Sequence, residues 1–170
     1  MGLGSLLVRL VLGAIFVRSG TRKLFGWFGG SGPDGTGEYF ESLGLSPGRL
    51  YALSAGASEA AGGASVATGL ATPLGAAAIA SVMVTALRTE IWRDGVQLDK
   101  GHHETLLLAS AVALAENGPG RLSIDALLGR ERSGTRWALA ALGVSAAGSS
   151  LVIELGKRRS ASQGPDNGSR

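Results

Sequence analysis

The chain has 170 residues, of which 45% are apolar and 17% are charged, and its formal net charge is +3. Soluble domains usually carry about 25% charged residues, so this composition favours a small integral membrane protein over a soluble domain. Cysteine is absent, which excludes disulfides, iron–sulfur clusters and thiol catalysis within the chain. The basic residues flank apolar runs instead of forming a stripe with aromatic residues, which argues against nucleic acid and for membrane lipid as a partner.

Hydropathy and breaker residues predict an all-α, polytopic membrane helix bundle. The predicted spans cover, in order, residues 2–20, 47–70, 74–92, 102–117 and 137–155. Residues 29–37 are predicted to be a loop because glycine and proline dominate them. A short amphipathic surface helix is expected within 37–48, and a tight turn at 71–73 joins the second and third spans.

The fourth span is short, because its uncharged part covers only 105–115. That length alone does not cross a hydrocarbon core about 30 Å thick, so its charged ends must face protein or water. Ser123 is a plausible N-cap for a short helix that follows. The predicted organisation is a four-helix membrane core over 1–128, a linker and fifth helix over 129–156, and a disordered polar tail over 157–170.

Small residues four positions apart line the second span, in two rows. The rows are Ala52, Gly56, Ala60, Ala64 and Ser54, Ser58, Gly62. This spacing predicts that another helix backbone approaches closely.

Orientation follows from the basic residues beside the spans. We call the side that carries residues 21–46 the first-loop face, and the other side the opposite face. With five spans, ten Lys and Arg residues fall on the first-loop face and four on the opposite face, which predicts a cytoplasmic C-terminus and an outward N-terminus. If the last segment is peripheral, the count becomes six against eight and the predicted orientation reverses.

Glu59 is the one charged residue between Leu50 and Leu87. A carboxylate inside a lipid-spanning segment costs several kcal/mol unless something compensates it. Counting about 1.5 Å per residue from the first-loop face places Arg9 and Glu59 at similar depth, so an Arg9–Glu59 ion pair is predicted at mid-bilayer. The pair either fixes helix register or handles a proton or a ligand.

Other ionisable residues collect near the first-loop face. They either extend to the interface as ordinary snorkelling side chains or form a polar vestibule that leads to Glu59. The vestibule candidates are Arg18, Lys23, Arg88, Glu90, His103 and Glu104. Metal ligation by the two histidines is disfavoured, because adjacent helical residues point about 100° apart, and no metal site is predicted.

Several short strings of the sequence, together with the charged residues described above, resemble the DoxX family of small bacterial membrane proteins. The resemblance covers residues 5–128 and rests on Arg9, Gly20 and Lys23 in the first span, Glu59 in SEAAGG and the TGLATP turn. It continues through GHHE at the start of the fourth span to ENGPGRLSIDALLG at its end. The family implies a four-helix bundle in the bacterial plasma membrane and association with redox enzymes.

The resemblance implies an accessory membrane subunit of a redox or oxidative-stress complex. In that role the chain has no self-contained catalytic centre and no cofactor of its own, with a quinone as the expected ligand and a redox enzyme as the expected partner. Glu59 would carry a proton, Arg9 would stabilise its charge, and His103 and Glu104 would pass protons at the mouth. The alternatives are a transporter of a small solute or lipid, and a membrane scaffold without chemistry.

Overall fold

The computed structural model describes residues 3–94 and 101–162, and the described part is helical without strands. The all-α bundle is therefore confirmed. The helices are α1 (Leu3–Phe25), α2 (Gly32–Ser42), α3 (Gly48–Thr68), α4 (Thr72–Asp94), α5 (His102–Asn117), α6 (Ile124–Leu127) and α7 (Thr135–Ser162), with a 3₁₀ turn at Trp27–Gly29 after α1.

Three of the described helices are long and apolar enough to cross a membrane. They correspond to the first, third and fifth predicted spans, at Leu3–Phe25, Thr72–Ile91 and Thr135–Gly156. The other two predicted spans form helices α3 and α5, which do not meet the same criterion. Alanine, glycine and serine dominate α3, and the 16 residues of α5 reach only about 24 Å. Both helices pack against other helices of the bundle.

Close contact between the backbones of α1 and α3 organises one side of the bundle. A Cβ atom on Gly20 would lie 2.5 Å from both the Ala60 nitrogen and the Gly56 oxygen. One on Gly63 would lie 2.7 Å from the Val17 nitrogen. Such distances leave room for hydrogen only, so these positions require glycine. The close approach that the small-residue rows predict is thus present, and the helices run antiparallel.

Buried apolar side chains fill the centre between α1, α3, α4, α5 and α7. Leu12, Phe16, Val66, Ile79 and Leu114 are each at most 4% exposed. Since these side chains come from four different helices, their close packing joins the helices of the bundle.

The helix α7 lies parallel to α4 along a seam of small and hydroxyl residues. The hydroxyl of Ser145 is fully buried and donates to the Ala77 carbonyl at 3.3 Å. Nearby, Arg88 Nη1 donates to Ser149 and Ser150, at 3.3 and 2.8 Å. The predicted fifth helix is therefore packed into the bundle. It continues to Ser162, past the predicted boundary at 156, and residues 163–170 of the predicted tail lie outside the described part.

The helix α2 corrects the prediction of a loop over 29–37. It begins at Gly32, with Pro33 in its first turn, where the missing proline N–H leaves no unmet hydrogen bond. Its Gly37 packs on the start of α3, since a Cβ there would lie 2.8 Å from the Arg49 nitrogen. Tertiary packing on α3 thus outweighs the poor helix propensity of the segment.

The other connections lie close to their predicted positions. The turn between α3 and α4 is centred on Gly69, which has φ +68°, and α4 starts at Thr72 instead of after Pro73. The bounds of α5 match the predicted 102–117. Ser123 caps α6 as predicted, with its hydroxyl accepting from the Ala126 nitrogen at 3.1 Å.

We expect Gly20→Ala to destabilise the protein by about 1–3 kcal/mol, because the added Cβ meets the α3 backbone. Gly4→Ala on the same helix is the matched control, since a Cβ there meets nothing within 4 Å; it should change stability by less than about 0.5 kcal/mol. Reversible unfolding in detergent micelles measures both. Equal effects of the two substitutions would contradict the close contact.

Candidate functional site

A cavity of about 540 Å³ opens among the helices on the first-loop side. Its floor and walls come from α1, α3, α4, α5 and α7, and the end of α2 with the segment after it covers one side. Most of the lining surface is apolar, although half of the lining residues have polar side chains, chiefly hydroxyls. The residues that carry the argument below are Phe16, Ser19, Lys23, Tyr51, Glu59, Met83, His103, Glu104, Gly148 and Val152.

An ion pair lies in the wall of this cavity. Lys23 Nζ, in the last turn of α1, donates to Glu59 Oε2 at 2.7 Å and to Ser19 Oγ at 2.9 Å. The Glu59 side chain is 3% exposed and that of Lys23 is 23% exposed. The carboxylate is thus held inside the bundle, whereas the ammonium group is partly accessible.

The predicted Arg9–Glu59 ion pair is wrong, because Glu59 pairs with Lys23. The glycine contacts set α1 against α3 so that Gly20 lies beside Ala60 and Arg9 lies beside Gly69. On α1, Ser19 is therefore near the level of Glu59, and Arg9 is ten residues, or about 15 Å, further along. An arginine side chain is too short to span that distance, so Arg9 does not reach Glu59.

Arg9 instead occupies a buried cluster at the opposite face. It is 1% exposed, and its guanidinium donates to the Pro119 carbonyl and, at 2.6 Å, to the Leu122 carbonyl. Two backbone carbonyls thus accept hydrogen bonds from Arg9, for which the sequence analysis predicted a carboxylate partner. We call Arg9, Pro119, Leu122 and Asp125 the Arg9 cluster.

Asp125 completes the Arg9 cluster, and sequence reasoning missed it. Its carboxylate accepts from the Ala71 and Thr72 nitrogens at 2.9 and 3.2 Å, and its own backbone nitrogen donates to the Gly69 carbonyl at 2.9 Å. It is 4% exposed and interacts electrostatically with Arg9. These bonds fix the segment after α5 to α1 and to the turn between α3 and α4.

The predicted vestibule divides into two groups. Lys23, His103 and Glu104 line the same cavity as Glu59. The ion pair and the start of α5 therefore border the same cavity.

Arg18, Arg88 and Glu90 are not among the lining residues of the cavity. Arg18 is exposed, with its guanidinium 5.8 Å from the centre of the Phe28 ring. Arg88 bonds to serines of α7. These contacts agree with the interpretation of Arg18 and Arg88 as surface and packing residues.

The cavity also contains groups that the sequence did not single out. Tyr51, which is buried, and Ser19 bring hydroxyl groups to the lining, and Gly148 and Val152 of α7 form part of the wall. The small-residue rows of the second span include Ser54 and Ser58, which also line the cavity, but they do not include Ser19. No local pattern marks Gly148, because its role depends on how α7 packs on α4.

The cavity lining offers hydrogen-bonding groups beside apolar surface. Within residues 3–94 and 101–162, no group of three or more His, Cys, Asp or Glu side chains is placed to hold a metal ion. An ammonium donor, carboxylates and hydroxyls beside an apolar wall suit an amphipathic organic molecule.

We expect Lys23→Met to destabilise the protein by about 2–4 kcal/mol, because it leaves the Glu59 carboxylate buried without a cation. The double variant Lys23→Met/Glu59→Gln should recover part of this loss. A double-mutant cycle from unfolding in micelles measures the coupling. The exposed pair Asp34–Arg49, at 2.8 Å, is the control and should show almost none. Additive effects at Lys23 and Glu59 would contradict a buried ion pair.

We expect Arg9→Gln to cost about 2–4 kcal/mol, since it removes charge-assisted hydrogen bonds to two buried carbonyls. Hydrogen exchange should accelerate first at residues 119–128, which the Arg9 cluster fixes in place. Arg18→Gln, an exposed arginine on the same helix, serves as the control. Unchanged exchange over 119–128 would show that the cluster does not fix this segment.

Comparison with protein families matches DoxX over residues 4–90, which is just over half of the chain. The match covers α1 to α3 and most of α4, and it includes both Lys23 and Glu59. The predicted resemblance extends to residue 128, beyond the matched range. Comparisons with curated proteins and with solved structures gave no match. With three helices of membrane-spanning length and this match, the chain belongs to the DoxX family and is a membrane protein.

Proposed function

We propose that the chain is an accessory membrane subunit of a redox or oxidative-stress complex, and that its cavity binds the headgroup of a quinone. The observation that carries this proposal is the cavity of about 540 Å³ with the Lys23–Glu59 ion pair in its wall. Cavities for small organic ligands typically measure about 300–1,000 Å³ and combine apolar walls with a few placed polar groups.

The lining offers apolar surface for the ring and chain of a quinone and hydrogen-bond donors for its carbonyl groups. Phe16, Met83 and Leu107 supply apolar surface for a ring and the start of an isoprenoid chain. The partly accessible Lys23 ammonium is a hydrogen-bond donor, and Tyr51, whose hydroxyl is a second potential donor, is also among the lining residues. Quinone carbonyls accept hydrogen bonds, so these two donors are the groups that would orient the headgroup.

Proton transfer is the chemistry that the chain's own residues would contribute. Glu59 would hold or release a proton beside the ligand while Lys23 stabilises its charged form. His103 and Glu104 line the cavity at the start of α5, and they would connect it to water at the first-loop face. A bound quinone would supply two-electron, two-proton redox chemistry, which no side chain here provides.

The absence of cysteine, and hence of a thiol redox centre, supports the accessory role. A partner enzyme would then deliver or accept the electrons. Quinones are dissolved in the lipid phase, so such a complex would work in the bacterial plasma membrane, with the cavity reached from that phase.

We expect Gly148→Leu to reduce binding of a short-chain naphthoquinone at least tenfold, because the new side chain projects into the cavity beside Ser81. Gly143→Leu on the same helix is the matched control, since a Cβ there meets nothing within 4 Å; it should leave binding unchanged. Purified protein in lipid nanodiscs, titrated with the quinone and followed by tryptophan quenching, gives both dissociation constants. Quinone extraction from the native membrane preparation gives an independent readout.

Four outcomes would contradict the proposal as a whole or one part of it. Wild-type protein that binds no quinone, or equal binding by the two glycine variants, would show that the cavity is not a quinone site. Flux of a small solute through liposomes that contain this chain alone would favour a transporter. Binding that persists in Lys23→Met/Glu59→Gln would retain the site but contradict the role of the ion pair.

A further inference from the structure

A second concave site lies on the opposite face, far from the cavity described above. It is a groove of about 340 Å³ between the end of α3 and α6. The residues that line it are Thr68, Arg121, Leu122, Ser123, Ile124 and Leu127. We call this feature the α6 groove.

The α6 groove exposes large apolar side chains on a fixed backbone. Leu122 is 58% exposed and Leu127 is 85% exposed. Arg9 donates to the Leu122 carbonyl, and the Asp125 carboxylate accepts from the Ala71 nitrogen. These bonds fix the backbone here, so the two leucine side chains stay directed outward. Exposed leucines that are held outward on the boundary of a membrane protein are suited to contact acyl chains.

A cationic group lies beside these leucines. Arg121 is exposed and lines the groove, and further arginines follow at 130, 132 and 136, all exposed. The guanidinium group binds phosphate oxygens in a bidentate manner and is weakly hydrated. A phosphate bound at Arg121 would therefore have apolar surface directly beside it.

We propose that the α6 groove binds one anionic phospholipid, with its phosphate on Arg121 and its acyl chain along Leu122 and Leu127. The paired chemistry of the groove supports a lipid over a free phosphate, since a soluble anion would gain nothing from the leucines. This site is on the other face from the Lys23–Glu59 pair and does not depend on the proposed quinone role.

The test uses delipidated full-length protein in micelles, titrated with phosphatidylglycerol or phosphatidylcholine, with bound lipid counted by native mass spectrometry. Wild type should prefer phosphatidylglycerol. Arg121→Gln should weaken that affinity about fivefold, the effect of removing one interfacial charge, and Arg121→Lys should restore most of it. Arg136→Gln removes the same charge from the same face outside the groove, and it should have little effect. Leu127→Ser should weaken binding of both lipids.

Each alternative outcome contradicts the proposal in a different way. Equal losses in Arg121→Gln and Arg136→Gln would indicate diffuse attraction to the arginines and no defined site. Displacement of the lipid by inorganic phosphate or glycerol phosphate at equal concentration would indicate a phosphate site. No preference for phosphatidylglycerol in the wild type would eliminate the groove as an anionic-lipid site. Thermal unfolding of each variant confirms that the folded protein is being compared.

Discussion

The backbone contact between α1 and α3 determines where Arg9 and Glu59, the buried charged residues of these two helices, lie. Glycines at 13, 20 and 63 allow the two helices to approach until a Cβ atom would collide with the opposite backbone, and Gly56 lies against the side chains of Lys23 and Leu24. Helix pairs in lipid gain stability mainly from such close packing, because apolar side chains gain little by leaving hydrocarbon. The contact also fixes the register of α1 against α3 to within a residue. Lys23 then reaches Glu59, and Arg9 reaches the turn at Gly69.

With this register, Arg9 and Glu59 are compensated in different ways at the two faces of the bundle. At the opposite face, backbone carbonyls and Asp125 surround Arg9, and this arrangement joins the α3–α4 turn to the segment after α5. At the first-loop face, Glu59 has a lysine partner that remains partly accessible and borders a cavity. The first arrangement is buried and links separate segments of the chain, which fits a structural role. The second leaves polar groups directed at open volume, so it is the one that can meet a ligand.

The sequence predicted the helices better than it predicted their relative positions. Periodicity and caps gave the bounds of α5 and the cap at Ser123, because these depend on local chemistry. The Arg9–Glu59 prediction failed because depths were counted from an assumed end of α1 at residue 20, and the helix continues to Phe25. The loop prediction for α2 failed because packing of Gly37 on α3 is a tertiary effect. The small-residue rows, which are visible in the sequence, carried the register information that counting from loop boundaries lacks.

Some residues of the cavity lie within the range matched to DoxX, and others lie outside it. Lys23 and Glu59 lie within residues 4–90, the range matched to DoxX, whereas His103, Glu104 and the α7 wall at Gly148 lie outside it. The charged pair therefore belongs to the matched helices, and the shape and the mouth of the cavity are completed by α5 and α7. Because binding selectivity depends on the fit of the apolar wall as well as on polar anchors, the choice of ligand under the proposed function would depend on residues beyond the matched range. A change at Gly148 alters the wall without touching the ion pair, so under that proposal ligand selection and the handling of charge would depend on different residues.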